Sequence, residues 1–318
     1  MGSDELACPA LNQLLAAPFT EVVAIVTQPD RPKGRRQRLA PCAAKAFAAA
    51  RGVPILTPER ISRPAVVARI REWAPDLIVV VAYGQYIPPS ILAMPPLGAI
   101  NLHPSLLPKY RGASPIQWAV ANGDRETGVT ILYVSEQMDA GDVILQRSEP
   151  ITPADTAVNV SARLAQAGAD LLLEAVQALR EGTPSRRPQD PTQVTTVHKL
   201  SKEDGRIDWQ WPAEQIRNRI RGFQPWPGCF TTWQGARLGL WAAELWPKPV
   251  TQPPGTVEEC GARGPIIATG AGRLCLTEVQ PAGRKRMSGQ AWLCGQPLAP
   301  GSALGADTAL DPAVGRGV

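Results

Sequence analysis

The sequence predicts an α/β fold in two parts, a doubly wound and mainly parallel sheet followed by a small β-barrel. Three observations predict it. Short β-branched runs alternate with helical stretches as far as Gly182, a polar segment with three prolines follows at Thr183–Pro191, and beyond residue 206 short apolar runs are separated by Gly/Pro turns.

Each element has its own signal. Glu21–Thr27 (EVVAIVT) and Asp76–Ala82 (DLIVVVA) read as buried strands. Between them, Ala40–Gly52 is Ala-rich and helical, Val53–Leu56 is a short strand, and Arg63–Trp73 is a second helix. Ala99–Leu102 and Gly128–Val134 read as further strands, and a helix over Val158–Arg180 stops at Gly182. At the front, Glu5–Ala17 is helical and follows Met1-Gly2-Ser3 directly. A doubly wound domain ordinarily opens with an apolar strand that delivers such a glycine turn. Residues 1–182 are therefore expected to form a domain lacking its first strand, with two strand edges left unpaired and Met1 read as an internal methionine. Residues 183–203 read as a linker. In residues 204–300, Phe230–Trp233, Leu238–Trp241, Pro265–Ala268 and Leu274–Val279 read as barrel strands and Ala213–Gly222 as a helix. Gly301–Val318 has little to bury and is expected to be disordered.

Composition narrows the function. With 318 residues, 44% hydrophobic and 19% charged, the chain can bury a large core. No apolar run approaches the ~20 residues of a membrane helix, and Asp4 and Glu5 do not suit a secretion signal. Six cysteines without a CxxC pair and only two histidines point away from zinc, disulfide frameworks and His-rich metal sites, so no metal is expected and the default location is cytoplasmic. The net charge of +5 is uneven: through residue 183 there are 17 basic and 17 acidic side chains, and after it 16 basic and 11 acidic, with seven of the nine tryptophans. A basic second domain suits a polyanion, and equally a merely soluble surface.

The chemistry concentrates in Asn101-Leu102-His103-Pro104-Ser105-Leu106-Leu107-Pro108-Lys109-Tyr110-Arg111-Gly112. Asn101 and His103, two apart on a strand, can face one side at the carboxyl edge of the sheet, where such folds bind ligands. Histidine can take a proton near neutrality, and an asparagine amide can stabilise an oxyanion. Asp139, in a Gly-bearing loop after a strand, could orient the histidine. Taken alone, these residues would equally suit a hydrogen-bonded loop histidine and a turn-forming carboxylate.

The wider pattern decides between these readings. NLHPSLLPKYRG, GDRETGVTI (Gly123–Ile131) and DAGD (Asp139–Asp142) resemble the signature of the folate-dependent formyltransferases. TQPDRP from Thr27, VVVAYGQ (Val79–Gln85), KLSKEDGRIDW (Lys199–Trp209), QPWPG (Gln224–Gly228) and VQPAGRKRMSG (Val279–Gly289) resemble the members of that family that act on methionyl-tRNA.

The resemblance implies a Rossmann-like formyltransferase domain and a basic OB-type barrel. It implies 10-formyltetrahydrofolate as formyl donor, methionine on initiator tRNA as acceptor, and a monomer. Asn101, His103 and Asp139 would be the catalytic trio that stabilises the tetrahedral intermediate. Ser105, Leu106, Leu107, Pro108, Val81, Ala82, Tyr83, Gly84, Gly141 and Asp142 would contact the folate.

Five cations in eight residues, Arg31, Lys33, Arg35, Arg36 and Arg38, read as an exposed loop. By the resemblance this loop meets the tRNA acceptor stem, with Arg35 its key arginine. Arg217, Arg219, Arg221, Arg284, Lys285 and Arg286 are candidate phosphate contacts, whereas Trp209, Trp211 and Trp226 are expected to pack internally. The rival readings are a formyltransferase for an amino-sugar nucleotide or a ribonucleotide amine, and an inactive RNA-binding relative.

Overall fold

The structure, a computed structural model, describes residues 1–33, 38–295 and 298–305. The chain divides into two compact units: residues 1–115, 126–151 and 159–198 form the first, and residues 116–125, 152–158 and 199–318 the second.

In chain order the first unit carries strands β1 (Ile25–Val26), β2 (Arg31–Lys33), β3 (Arg38–Ala40), β4 (Ile55–Leu56), β5 (Ile78–Val81), β6 (Ala99–His103), β7 (Arg111–Gly112), β8 (Glu126–Tyr133), β9 (Val143–Pro150) and β10 (Thr196–Val197). The helices up to residue 180 are α1 (Ala7–Ala16), α2 (Ala43–Ala49), α3 (Pro64–Glu72), α4 (Pro89–Leu92), α5 (Pro115–Ala121) and α6 (Ala157–Arg180). The main sheet has the order β5-β6-β8-β9, and β1 pairs with β4 separately. β1–β4, β5–β6 and the Gly2–Val81 bridge are parallel, in line with the expected Rossmann-like sheet, and β6–β8 and β8–β9 add an antiparallel side to it. Connection length explains the β8–β9 pair: residues 134–142 are too few for a parallel crossover, which needs a dozen or more.

The gap expected at the front is bridged by the first residues themselves. Gly2 N donates to Val26 O (3.0 Å), Val81 N donates to Met1 O (2.9 Å), and Ser3 N donates to Ala82 O (3.2 Å). These bonds lie between β1 and β5 and join the two edges over a short stretch. The predicted strand Glu21–Thr27 is regular only at Ile25–Val26, where it pairs with Ile55–Leu56. Val26, Ile70, Ile78, Ile87 and Ile91 form one core around β5.

α6 covers β6. Val160, Leu164, Leu172 and Leu179 recur at helical spacing and are buried. At Gly168 a Cβ would lie 2.8 Å from Leu102 Cδ1, so a residue without one lets the helix pack closely on the strand.

The second unit is an antiparallel sheet of β11 (Cys229–Trp233), β12 (Ala236–Trp246), β13 (Val257–Gly261), β14 (Gly264–Ala268), β15 (Arg273–Pro281) and β16 (Met287–Ser288). Its order is β11-β12-β15-β14-β13, with β16 on β15. Helices α7 (Ala213–Gly222) and α8 (Gly289–Cys294) contribute Ile216, Ile220 and Trp292 to a core with Trp209, Phe223 and Leu276.

Two expectations about irregular segments change. Residues 183–198 are not a free tether: Arg187 exchanges both backbone hydrogen bonds with Val143 (2.8 and 3.0 Å), and β10 pairs in parallel with β7. The chain after Gly301 is not disordered at its start. Val257 N donates to Ser302 O and Leu304 N to Gly255 O, both at 2.8 Å, and Leu304 is 3% exposed. Residues 306–318 lie outside the described residues. Among the described residues no helix is long and apolar enough to cross a membrane.

Leu304 thus plugs the second core. Leu304→Ala is expected to lower its stability by about 2–3 kcal/mol, the range for a leucine cavity that can partly collapse. A urea midpoint equal to that of the unaltered protein would show that the plug contributes nothing.

Candidate active site

β6 alternates its side chains. Ile100 and Leu102 are fully buried, with Leu102 beneath Gly168, while Asn101 and His103 both reach Asp139. Asp139 comes from the β8–β9 loop, where its backbone φ is 53°. That region favours Asp and Asn among non-glycine residues.

The carboxylate collects three neighbours. Gly112 N donates to Oδ2 at 2.9 Å and Asn101 Nδ2 donates to Oδ1 at 3.4 Å. His103 Nδ1 lies 3.6 Å from Oδ2, an ion-pair distance rather than a hydrogen bond. The side chains of His103 and Asp139 are 5% and 12% exposed, so water does little to satisfy this charge. On the other side of the ring, His103 Nε2 sits 2.9 Å from Tyr110 O. A carbonyl only accepts, so Nε2 carries a hydrogen, and Nδ1 offers one to Asp139 only when the ring is cationic. Asn101 Nδ2 has a second hydrogen with no partner among the described residues, free to meet an oxygen that gains negative charge.

The loop that supplies Tyr110 and Gly112 is tied down on two sides. Ser105 Oγ donates to Lys109 O (2.6 Å), Thr130 Oγ1 donates to Ser105 O (2.7 Å), and Gln146 Nε2 donates to Leu107 O (2.7 Å). The Leu107–Pro108 peptide is cis. From the other side, Tyr110 N donates to Thr195 Oγ1 (2.8 Å) and Arg111 N to Thr195 O (2.9 Å). Gln189, in the same strap, donates to Asp139 O and Gly141 O, both at 2.8 Å.

The expected folate residues take different positions. Val81 is buried and pairs with Leu102, so the turn after it opens beside the strand that ends in His103. In that turn Ala82 (φ 49°) and Gly84 (φ 78°) expose their backbone. Tyr83 is buried, with its phenol pushed up to about 12 by burial. Leu106 and Pro108 are half-buried, but Ser105 and Leu107 face inward, and the Ser105 hydroxyl is already engaged within the loop. Gly141 and Asp142 close the Asp139 loop, with Tyr133 N donating to Asp142 O (2.9 Å).

The candidate cations divide in the same way. Lys33 and Arg38 stand at the ends of the β2–β3 hairpin, and Arg35 and Arg36 lie outside the described residues. In the second unit, Arg219 packs over the Trp211 ring at 4.4 Å, and desolvation lowers its pKa. Arg221 donates to Asn218 Oδ1, Thr152 O and Asp155 O. Both arginines are half-buried and engaged within the unit. Arg217 is half-buried. Arg284, Lys285 and Arg286 are exposed beyond β15, with Arg286 paired to Glu278. Trp209 is buried, as expected, and donates to Thr231, but Trp226, in the turn before β11, is 49% exposed.

Sequence reading passed over Gln189 and Thr195, whose segment has the composition of a linker. The signal available was the short run Thr195-Thr196-Val197, able to pair with a strand. Among the described residues no group of three His, Cys, Asp or Glu could hold a metal ion.

Comparison with known proteins gives a consistent result. Residues 5–176 match the family model "Formyl transferase", and residues 199–297 match "Formyl transferase, C-terminal domain". The methionyl-tRNA formyltransferase of Geobacter metallireducens is 44% identical over 307 residues, covering 96% of this chain and 97% of that one. The protein of the same name from Moorella thermoacetica is 43% identical over 305 residues, covering 96% and 98%. Among solved structures, the sugar 3N-formyl transferase WlaRD superimposes with a TM-score of 0.65 at 19% identity, over 89% of this chain and 97% of that one. HypX from Aquifex aeolicus, in complex with tetrahydrofolic acid, gives a TM-score of 0.58 at 21% identity, over 86% of this chain and 47% of HypX.

A Cβ on Gly141 would stand 1.8 Å from Tyr133 O, so the hairpin would have to open there. Gly141→Ala is expected to move Asp139 away from His103 and to lower stability by about 2–4 kcal/mol, read from a variant crystal structure and its denaturation curve. Unchanged stability with Asp139 in place would mean that the tight turn is not what holds the carboxylate.

Proposed function

This chain belongs to the formyl transferase family, whose two models match it over most of its length, and we propose that Asn101, His103 and Asp139 perform its chemistry. It transfers the formyl group of 10-formyltetrahydrofolate to the α-amino group of methionine on initiator tRNA, as its similarity to methionyl-tRNA formyltransferases at 42–46% identity supports. It is thus a one-carbon transferase serving translation initiation. The observation that carries the assignment of residues is the convergence of Asn101, His103 and the Gly112 amide on one Asp139 carboxylate.

The folate supplies the formyl carbon, and the chain supplies donors and a proton path. When the amine attacks, charge gathers on the formyl oxygen; the free Asn101 N–H answers it, and His103 Nε2–H would do so on leaving the Tyr110 carbonyl that it meets at 2.9 Å. Asp139, 3.6 Å from Nδ1, keeps that ring aligned. The attacking nitrogen loses a proton and the departing folate nitrogen gains one, and His103 is the group able to exchange them. The exposed backbone at Ala82 and Gly84, beside the strand bearing His103, offers the folate a floor. Leu106, Pro108 and the Gly141–Asp142 turn would complete that pocket.

The second unit, read as an OB-type barrel, would hold tRNA through Arg284 and Lys285, and the basic segment with Lys33, Arg35, Arg36 and Arg38 would meet the acceptor end. By its likeness to methionyl-tRNA formyltransferases we read the protein as a monomer, and its role in initiation supports a cytoplasmic location.

His103→Ala is expected to slow formyl transfer roughly 10²–10⁴-fold, and Asn101→Ala roughly 10²–10³-fold. The assay offers Met-tRNA and an amino-sugar nucleotide side by side, and formylation of the sugar alone would refute the acceptor. Arg35→Ala is expected to raise KM for tRNA while leaving KM for folate unchanged; an equal rise in both would remove Arg35 from the tRNA contacts.

A further inference from the structure

Gln189 lies behind the proposed catalytic carboxylate, and its amide is fully engaged there. Its Oε1 accepts from Arg111 Nε (3.0 Å) and Nη2 (2.8 Å). Its Nε2 donates to the main-chain oxygens of Asp139 and Gly141, both at 2.8 Å. Four bonds use both donor hydrogens and both acceptor positions of a carboxamide. The two carbonyls it grips belong to a turn under constraint at each end: Asp139 is held at φ 53°, and Gly141 has no room for a side chain.

We propose that Gln189 is a positioning residue for formyl transfer, locking the 139–141 turn so that the Asp139 carboxylate faces Asn101 and His103. The inference rests on the assignment of Asp139 to the reaction. Its physical basis is a closed circuit. Arg111 orients the Gln189 amide, which holds the Asp139 main chain, while Gly112, next to Arg111 in β7, donates to the Asp139 side chain at 2.9 Å. β7 therefore grips the same aspartate from both its main-chain and its carboxylate side. The contacts at stake have little slack: at 3.4 Å from Asn101 and 3.6 Å from His103, a shift of the turn by a fraction of an ångström would break both. The strap bearing Gln189 is tied down independently by the Arg187–Val143 and Thr196–Arg111 pairings, so the clamp has a fixed base.

Gln189→Glu isolates the donor half of the clamp. It keeps the side-chain length and the acceptor for Arg111, but removes both hydrogens and sets a carboxylate oxygen against two carbonyls. Steady-state formylation of Met-tRNA with 10-formyltetrahydrofolate is measured for the unaltered enzyme, Gln189→Glu, Asp139→Asn and the double variant. The expected result for Gln189→Glu is a fall in kcat of roughly 10–100-fold, with both KM values within about threefold. In the Asp139→Asn background the same change is expected to cost no more than about twofold, because two residues acting through one group are not additive. An unchanged kcat, a loss confined to KM, or independent losses in the double variant would overturn the positioning role. Full activity of Asp139→Asn would instead overturn the assignment of Asp139. If the glutamate variant does not fold, Gln189→Asn, which draws the amide back by one methylene, replaces it with the same expected pattern.

Discussion

The Asp139 carboxylate, largely shielded from water, is the group to which the rest of the first unit is fitted. A charge this poorly hydrated is tolerated only where donors are built around it. The donors come from two neighbouring strands, Asn101 and His103 on β6 and the Gly112 amide in β7, both distant in sequence from Asp139. Each must be held to a few tenths of an ångström, and the scaffold can be understood as the means of doing so. α6 presses β6 into place at Gly168, Thr130 and Gln146 tie the loop before β7, and the 187–197 strap pairs with β7 from outside.

The same view explains why counting charge gave an incomplete picture of the second unit. Its basic excess suggests a surface for a polyanion, yet several of its cations are internal. Arg273 is buried between Glu258 and Glu259, Arg219 is stacked on Trp211, and Arg221 is bonded to main-chain oxygens. An arginine engaged in this way contributes packing and hydrogen bonds, and little potential to the surface. Arg284, Lys285 and Arg286 stand exposed together at the turn after β15.

Elements with strong local patterns were legible from the residues alone. α7 occupies Ala213–Gly222 as its periodicity indicates, and β6 and α6 differ from expectation by one residue at an end. β9 was missed because VILQRSEP buries only its first two residues fully and so lacks a clear apolar run. β13 was missed for a similar reason, with Glu258, Glu259 and Cys260 following its one fully buried residue. The proposed trio of Asn101, His103 and Asp139 is legible as a motif, but its support is not, since Gln189 and Thr195 sit in a stretch whose prolines and polar residues resemble a tether.

What the sequence determined by itself is therefore the local content: which runs become helix or strand, the two-part order, and the residue types able to do acyl chemistry. The tertiary structure alone decided which distant segments pair. It joined Met1–Ser3 to both neighbouring edges, turned two of the three pairings in the main sheet antiparallel, and converted a linker-like strap into one wall of the site. The reason is physical. Side-chain periodicity is written along the chain, whereas backbone hydrogen bonds between distant segments are nearly blind to residue type and become definite only when the core brings those segments together.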